Sequence, residues 1–120
     1  MGRARIDEGQ GLAALRSWQA DAASASRDTK AMAVRFTLQA LADRAPGNTV
    51  EVRVPPFGAT QCIEGPRHTR GTPPNVIETD AATWLALATG AEAWDDALGS
   101  GRVHASGQRA QLDGLLPVVR

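Results

Sequence analysis

Leu12, Leu15, Trp18 and Ala22 recur every three or four positions, so residues 8–22 read as an amphipathic helix with a narrow apolar stripe and Asp7 as its cap. The small polar run at 23–28 breaks that pattern and offers Ser26 or Asp28 to cap a second helix, over residues 29–45. On a helical wheel the second helix has two apolar faces. Val34, Leu38, Leu41, Ala42 and Ala45 lie on one, and Met32, Phe36 and Ala40 lie on nearly the opposite one. A helix of this kind has to be covered twice, which predicts a place between a sheet and the first helix. Pro46 and Gly47 end it.

Residues 49–54 alternate apolar and polar with period two and are rich in β-branched side chains, the clearest strand in the chain. Val50, Val52 and Val54 should pack against Val34, Leu38 and Leu41, with Glu51 and Arg53 pointing away. Pro55 and Pro56 stop the strand. A second short run over 59–64 makes a hairpin with it, placing Ala59, Gln61 and Ile63 on one face and Cys62 on the other. Residues 65–74 are a loop by composition. Val76 and Ile77 centre a third strand over 75–79, and Asp80 caps a helix carrying Trp84, Leu85, Leu87 and Ala88, which Gly90 closes. One or two further turns follow from Trp94 to Leu98. A fourth strand follows over 102–106, with Val103 and Ala105 inward and His104 outward. Leu112, Leu115 and Leu116 form a last stretch, helical up to Pro117. This order calls for an α+β fold, a mixed or antiparallel sheet with helices on one face.

Composition narrows the functional classes. At 120 residues, 42% hydrophobic and 22% charged, the chain reads as one soluble domain over 1–120, able to hold a core without disulfides or metal. Thirteen basic and thirteen acidic residues cancel, and no like-charged block occurs, which argues against nucleic acid as a partner. The longest weakly polar run, 81–91, is about half of the roughly 20 residues that span a bilayer, so no transmembrane anchor is expected. A single cysteine and the lack of an apolar leader suggest a cytoplasmic protein.

The motif search yields little. Gly9-Gln10-Gly11 and Gly99-Ser100-Gly101 each lack the third glycine of a dinucleotide fingerprint, and the two histidines have no metal-ligand spacing, so neither cofactor nor metal is expected. Cys62 and His68 could form a nucleophile and base, although a lone cysteine in a strand is more often a small buried hydrophobe. The most distinctive segment is the loop at 65–74, where Arg67, His68 and Arg70 sit among glycines and prolines. A stiff loop loses little entropy when it presents guanidinium groups to a carboxylate or phosphate, so these three form a candidate polar rim. An ordinary solvated connection is the alternative.

The C-terminal third has a further feature. Val76 to Asp80, the helix ending in Thr89 and Gly90, the short helix at 94–98 before Gly99 and Gly101, and the strand closing in Ser106 and Gly107 stand in the order of the sterol carrier protein type 2 family, which this region resembles. The resemblance implies a curved sheet of about five strands covered by helices, a terminal helix, and an apolar tunnel for sterols, acyl chains or other lipids. The chain is similar to short bacterial members of that family, whereas the arginines of the 65–74 loop are not part of its usual pattern. An apolar pocket is then expected between the sheet and the C-terminal segment, lined by Phe36, Val54, Phe57, Ile63, Trp84, Leu112, Leu115 and Leu116. The leading expectation is a non-catalytic carrier or binding module for a lipid or other small apolar or amphipathic ligand. The alternatives are an enzyme or enzyme subunit using the Arg67/His68/Arg70 loop and Cys62, and an interaction domain with a protein partner, including a homodimer, and no small ligand.

Overall fold

In a computed structural model, which describes residues 5–65 and 74–120, the elements follow the hydrophobic pattern closely. Helix α1 spans Glu8–Ala20, and the Asp7 carboxylate accepts from the Gln10 N–H at its start. After a single tight turn at Ala22–Ser24, α2 runs over Arg27–Arg44. Ser26 is its cap, accepting from the Thr29 N–H at 3.1 Å, and the helix therefore starts two residues earlier than its apolar pattern does. Strands β1 (Val50–Val54) and β2 (Gly58–Cys62) form the hairpin. Strand β3 (Asn75–Thr79), helix α3 (Ala81–Thr89), helix α4 (Trp94–Gly99) and strand β4 (Val103–Ser106) complete the order. Asp80 caps α3, and Gly90 closes it in the left-handed conformation, φ 84°.

The sheet is mixed, in the order β2-β1-β3-β4. β1 is antiparallel to β2, with Val50 opposite Cys62 and Val54 opposite Gly58; it is parallel to β3, which is antiparallel to β4. Four strands stand among the described residues, not about five. Each of the four runs read as strands from the sequence forms one, and a fifth is implied by the family resemblance alone. Val50, Val52 and Val54 are fully buried toward the helices, and Glu51 and Arg53 pair with each other on the open face.

Two expectations at element ends change. β2 stops at Cys62, and Ile63 turns the chain with φ 70°, a strained value for a β-branched residue. Its N–H donates to the Ala45 carbonyl at 2.7 Å and its own carbonyl accepts from Thr49, which ties the sheet to the end of α2. On β4, Val103 is buried but Ala105 is exposed, because this edge strand runs out beyond the helical cover.

The second helix lies where its two apolar faces require. Val34, Leu38 and Leu41 belong to the core with the valines of β1, and a Cβ built on Gly58 would lie 3.6 Å from Leu38 Cδ1. On the other side Phe36 packs directly on Gly11 of α1, where a built Cβ would fall 2.2 Å from the ring. Only glycine allows that approach. Trp84 joins α3 to the same helix, its Nε1–H donating to Thr37 Oγ1 at 2.8 Å deep in the core.

The C-terminal stretch is not helical. Gly114 adopts φ 80°, outside the right-handed region, and Pro117 lacks the N–H that a continuing helix would use. The segment instead crosses the helices in turns: Val118 and Val119 donate to the Ala88 carbonyl, and Arg44 donates to that of Pro117. Leu112 is buried beneath it.

The α1–α2 approach gives a direct test. Gly11→Ala should destabilise the protein by about 1–3 kcal/mol through overpacking on Phe36. Gly9→Ala, on the same helix, would meet only the Asp7 carboxylate, at 3.2 Å, and should cost clearly less than Gly11→Ala. Chemical denaturation of both variants measures the difference.

Candidate functional site

The eight apolar residues singled out from sequence occupy the packed interior or its margin. Val54, Phe57, Trp84 and Leu112 are members of the core, Ile63, Leu115 and Leu116 are half-buried against it, and Phe36 is buried beneath α1. Phe57 also carries the Arg27 guanidinium 5.5 Å above its ring. Arg67, His68 and Arg70, the polar rim, lie outside the described residues. The ends of their loop are described: Gly65 lies over the Thr49 side chain, and Pro74 leads into β3.

Cys62 is fully buried at the end of β2, and burial pushes its thiol from an ordinary 9.0 up to about 11. The folded state thus favours the protonated thiol. The contribution of this group to stability is whole below pH 9.0 and falls as the pH rises toward about 11. His104 stands exposed on the open sheet face, in register with Glu78 of β3. No group of three or more His, Cys, Asp or Glu side chains among the described residues is placed to hold a metal ion.

Among the described residues, surface grooves are lined by residues other than the eight, and three of them stand out. One of about 600 Å³ wraps the β4 edge between Leu98 and the Val76, Glu78 and His104 face. Another, of about 260 Å³, lies at the sheet end among Thr49, Asn75, Gln108 and Arg109. The roomiest of the three, of about 750 Å³ and open to one side, runs along α2 beside β2.

This last groove is built from three elements. α2 supplies the floor through Met32, Leu38 and Ala42, interleaved with Arg35 and Gln39, and Gly58, Ala59 and Thr60 of the edge strand β2 form one bank. Arg5 and Ile6, just before α1, also line it. Its charges are unequal. The Arg5 guanidinium forks onto Asp43 at 3.1 and 2.6 Å, and each group shifts the other further into its charged form. Arg35 has no carboxylate partner among the described residues. Its Nε–H donates to the Phe57 carbonyl at 2.8 Å, which fixes the guanidinium plane and leaves the forked end free. An apolar floor beside an oriented, unpaired guanidinium can hold a molecule with an apolar body and an anionic head. The signal in the sequence was the third face of α2: Arg35, Gln39, Ala42 and Asp43 at spacings of three and four, between the two apolar stripes.

The burial of Cys62 predicts that Ellman reagent will not modify the native protein at about pH 8 and will react fully after unfolding. Prompt reaction in the native state would contradict the packing described.

No helix among the described residues is long and apolar enough to cross a membrane. No curated protein matches the chain. The family described as bacterial SCP ortholog matches residues 26–118, from the cap of α2 through all four strands to the C-terminal crossing segment. The chain thus belongs to this sterol-carrier-protein-like family.

Proposed function

We propose that this protein is a non-catalytic binding module, a carrier for a small amphipathic molecule with an anionic head, held in the groove between α2 and β2. The observation that carries the reading is Arg35: a guanidinium oriented by the Phe57 carbonyl, without a carboxylate partner among the described residues, at the side of an apolar trough. Membership of a sterol-carrier-like family supports a binding role in general terms. The apolar floor gains by covering the half-buried Met32 and Ala42, and the head exchanges water for a planar two-point contact.

Anilinonaphthalene sulfonate, an apolar aromatic body with a sulfonate head, is a suitable probe. It should bind saturably with a fluorescence increase that weakens as salt is raised. Arg35→Gln should weaken it by about tenfold, the scale of one charged hydrogen bond, while the thermal midpoint changes little. Equal binding by the variant and the wild type would overturn the reading.

A further inference from the structure

The groove has a second bank, and it is built from the part of the chain that the family match does not reach. That match begins at residue 26, whereas Arg5, Ile6 and the whole of α1 precede it. We infer that Ile6, pinned to α2 by Gln39, sets the width of apolar body that the groove accepts, an inference that rests on the binding reading above.

Both backbone groups of Ile6 are held by one side chain. The Ile6 N–H donates to Gln39 Oε1 at 2.9 Å, and Gln39 Nε2 donates to the Ile6 carbonyl at 3.1 Å, a pairing like that of a neighbouring strand. One helical turn further along α2, the Arg5 fork on Asp43 holds the preceding residue. On the following side, Asp7 is committed to capping α1, and α1 is fixed on α2 by the Gly11–Phe36 approach. The position of Ile6 is therefore set from three directions.

This anchoring exceeds what a connecting segment needs. Surface ion pairs contribute little to stability, and a segment before a helix is otherwise free to fray. Its consequence is geometric. Ile6 is half-buried on one side of the α2 ridge and Gly58 to Thr60 of β2 lie on the other, so the distance between them is the width of the trough. β2 is held by its ladder with β1 and Ile6 by Gln39, so both banks are fixed and the Ile6 side chain sets the width between them. Gln39 thus lies in the floor and also positions Ile6, the bank that the ligand meets.

Two anionic probes of different width test this: decyl sulfate below its micellar concentration, a single narrow chain, and anilinonaphthalene sulfonate, a wide ring system. Ile6→Ala and Gln39→Ala should each weaken decyl sulfate relative to the dye by about tenfold, because a narrow chain loses one wall of contact while a wide body keeps both. Ile6→Leu should restore the wild-type ratio. A merely structural role would lower both affinities together and leave the ratio unmoved. If the ratio is unchanged in Ile6→Ala and Gln39→Ala while Arg35→Gln still weakens both probes, the groove stands and the inference about Ile6 falls. If Arg35→Gln leaves both probes unaffected, the binding reading itself fails.

Discussion

Everything in this molecule is arranged around the burial of α2 on two sides. Its stripe of Val34, Leu38 and Leu41 is buried in one core with the valines of β1, nearest to β2 at Gly58, and its opposite face meets α1 through Phe36 and Gly11. Each large aliphatic side chain so covered is worth about 1.5–3 kcal/mol, so this helix is a major source of hydrophobic stabilisation in a chain with few aromatic residues. The remaining faces follow from it. With two sides committed to packing, the third is left facing outward between β2 and the segment before α1, and that strip is the floor of the groove.

Polar groups stitch the layers at points where apolar packing would not fix orientation. The Trp84 indole N–H reaches Thr37 Oγ1, whose own hydroxyl proton goes back to the Ala33 carbonyl, so a fully buried polar pair is satisfied without water. Asn75 works similarly at the sheet end, donating to the Thr49 carbonyl and accepting from the Arg109 N–H, which joins the start of β1 to the chain leaving β4. Among the described residues one buried side-chain polar atom, Thr49 Oγ1, lacks a partner. The open sheet face carries Glu51, Arg53, Glu78 and His104 in neighbouring register and is hydrated by composition.

The elements were legible in the sequence because their signals are local. Asp7, Asp80 and Gly90 mark helix ends by their own side chains or backbone freedom, and alternation in β1 is a property of five adjacent residues. The double face of α2 even revealed its neighbours. What stayed hidden depends on distant partners. The run at 112–116 has a helical apolar pattern, but the Ala88 carbonyl and the Arg44 guanidinium hold the segment as a crossing strap instead. Ala105 alternates as an inward residue, yet no spacing tells where a helical layer ends. The groove was the least legible of all. Large apolar residues such as Trp84 and Leu112 suggested a pocket wall, whereas packing uses them to fill the core, and the groove lining falls to the smaller and more polar side chains of the third face.

The distribution of charge explains why that third face can serve binding without weakening the fold. Thirteen positive and thirteen negative side chains balance over the sequence. The ion pairs described, Arg5–Asp43, Arg53–Glu51 and Arg102–Glu92, lie at or near the surface, where such pairs add little. Arg35 stands apart from them: its contact is with a neutral carbonyl, and it has no carboxylate partner among the described residues. A half-buried guanidinium held in this way loses little freedom on meeting an anion, and the helix beneath it is already fixed by packing on both sides. The rigidity of α2 thus originates in the sandwiching of one helix, and the edge strand β2 and Arg35 stand along its uncovered side. The segment from Arg5 to Asp7, outside the family match, adds only the bank that completes the trough.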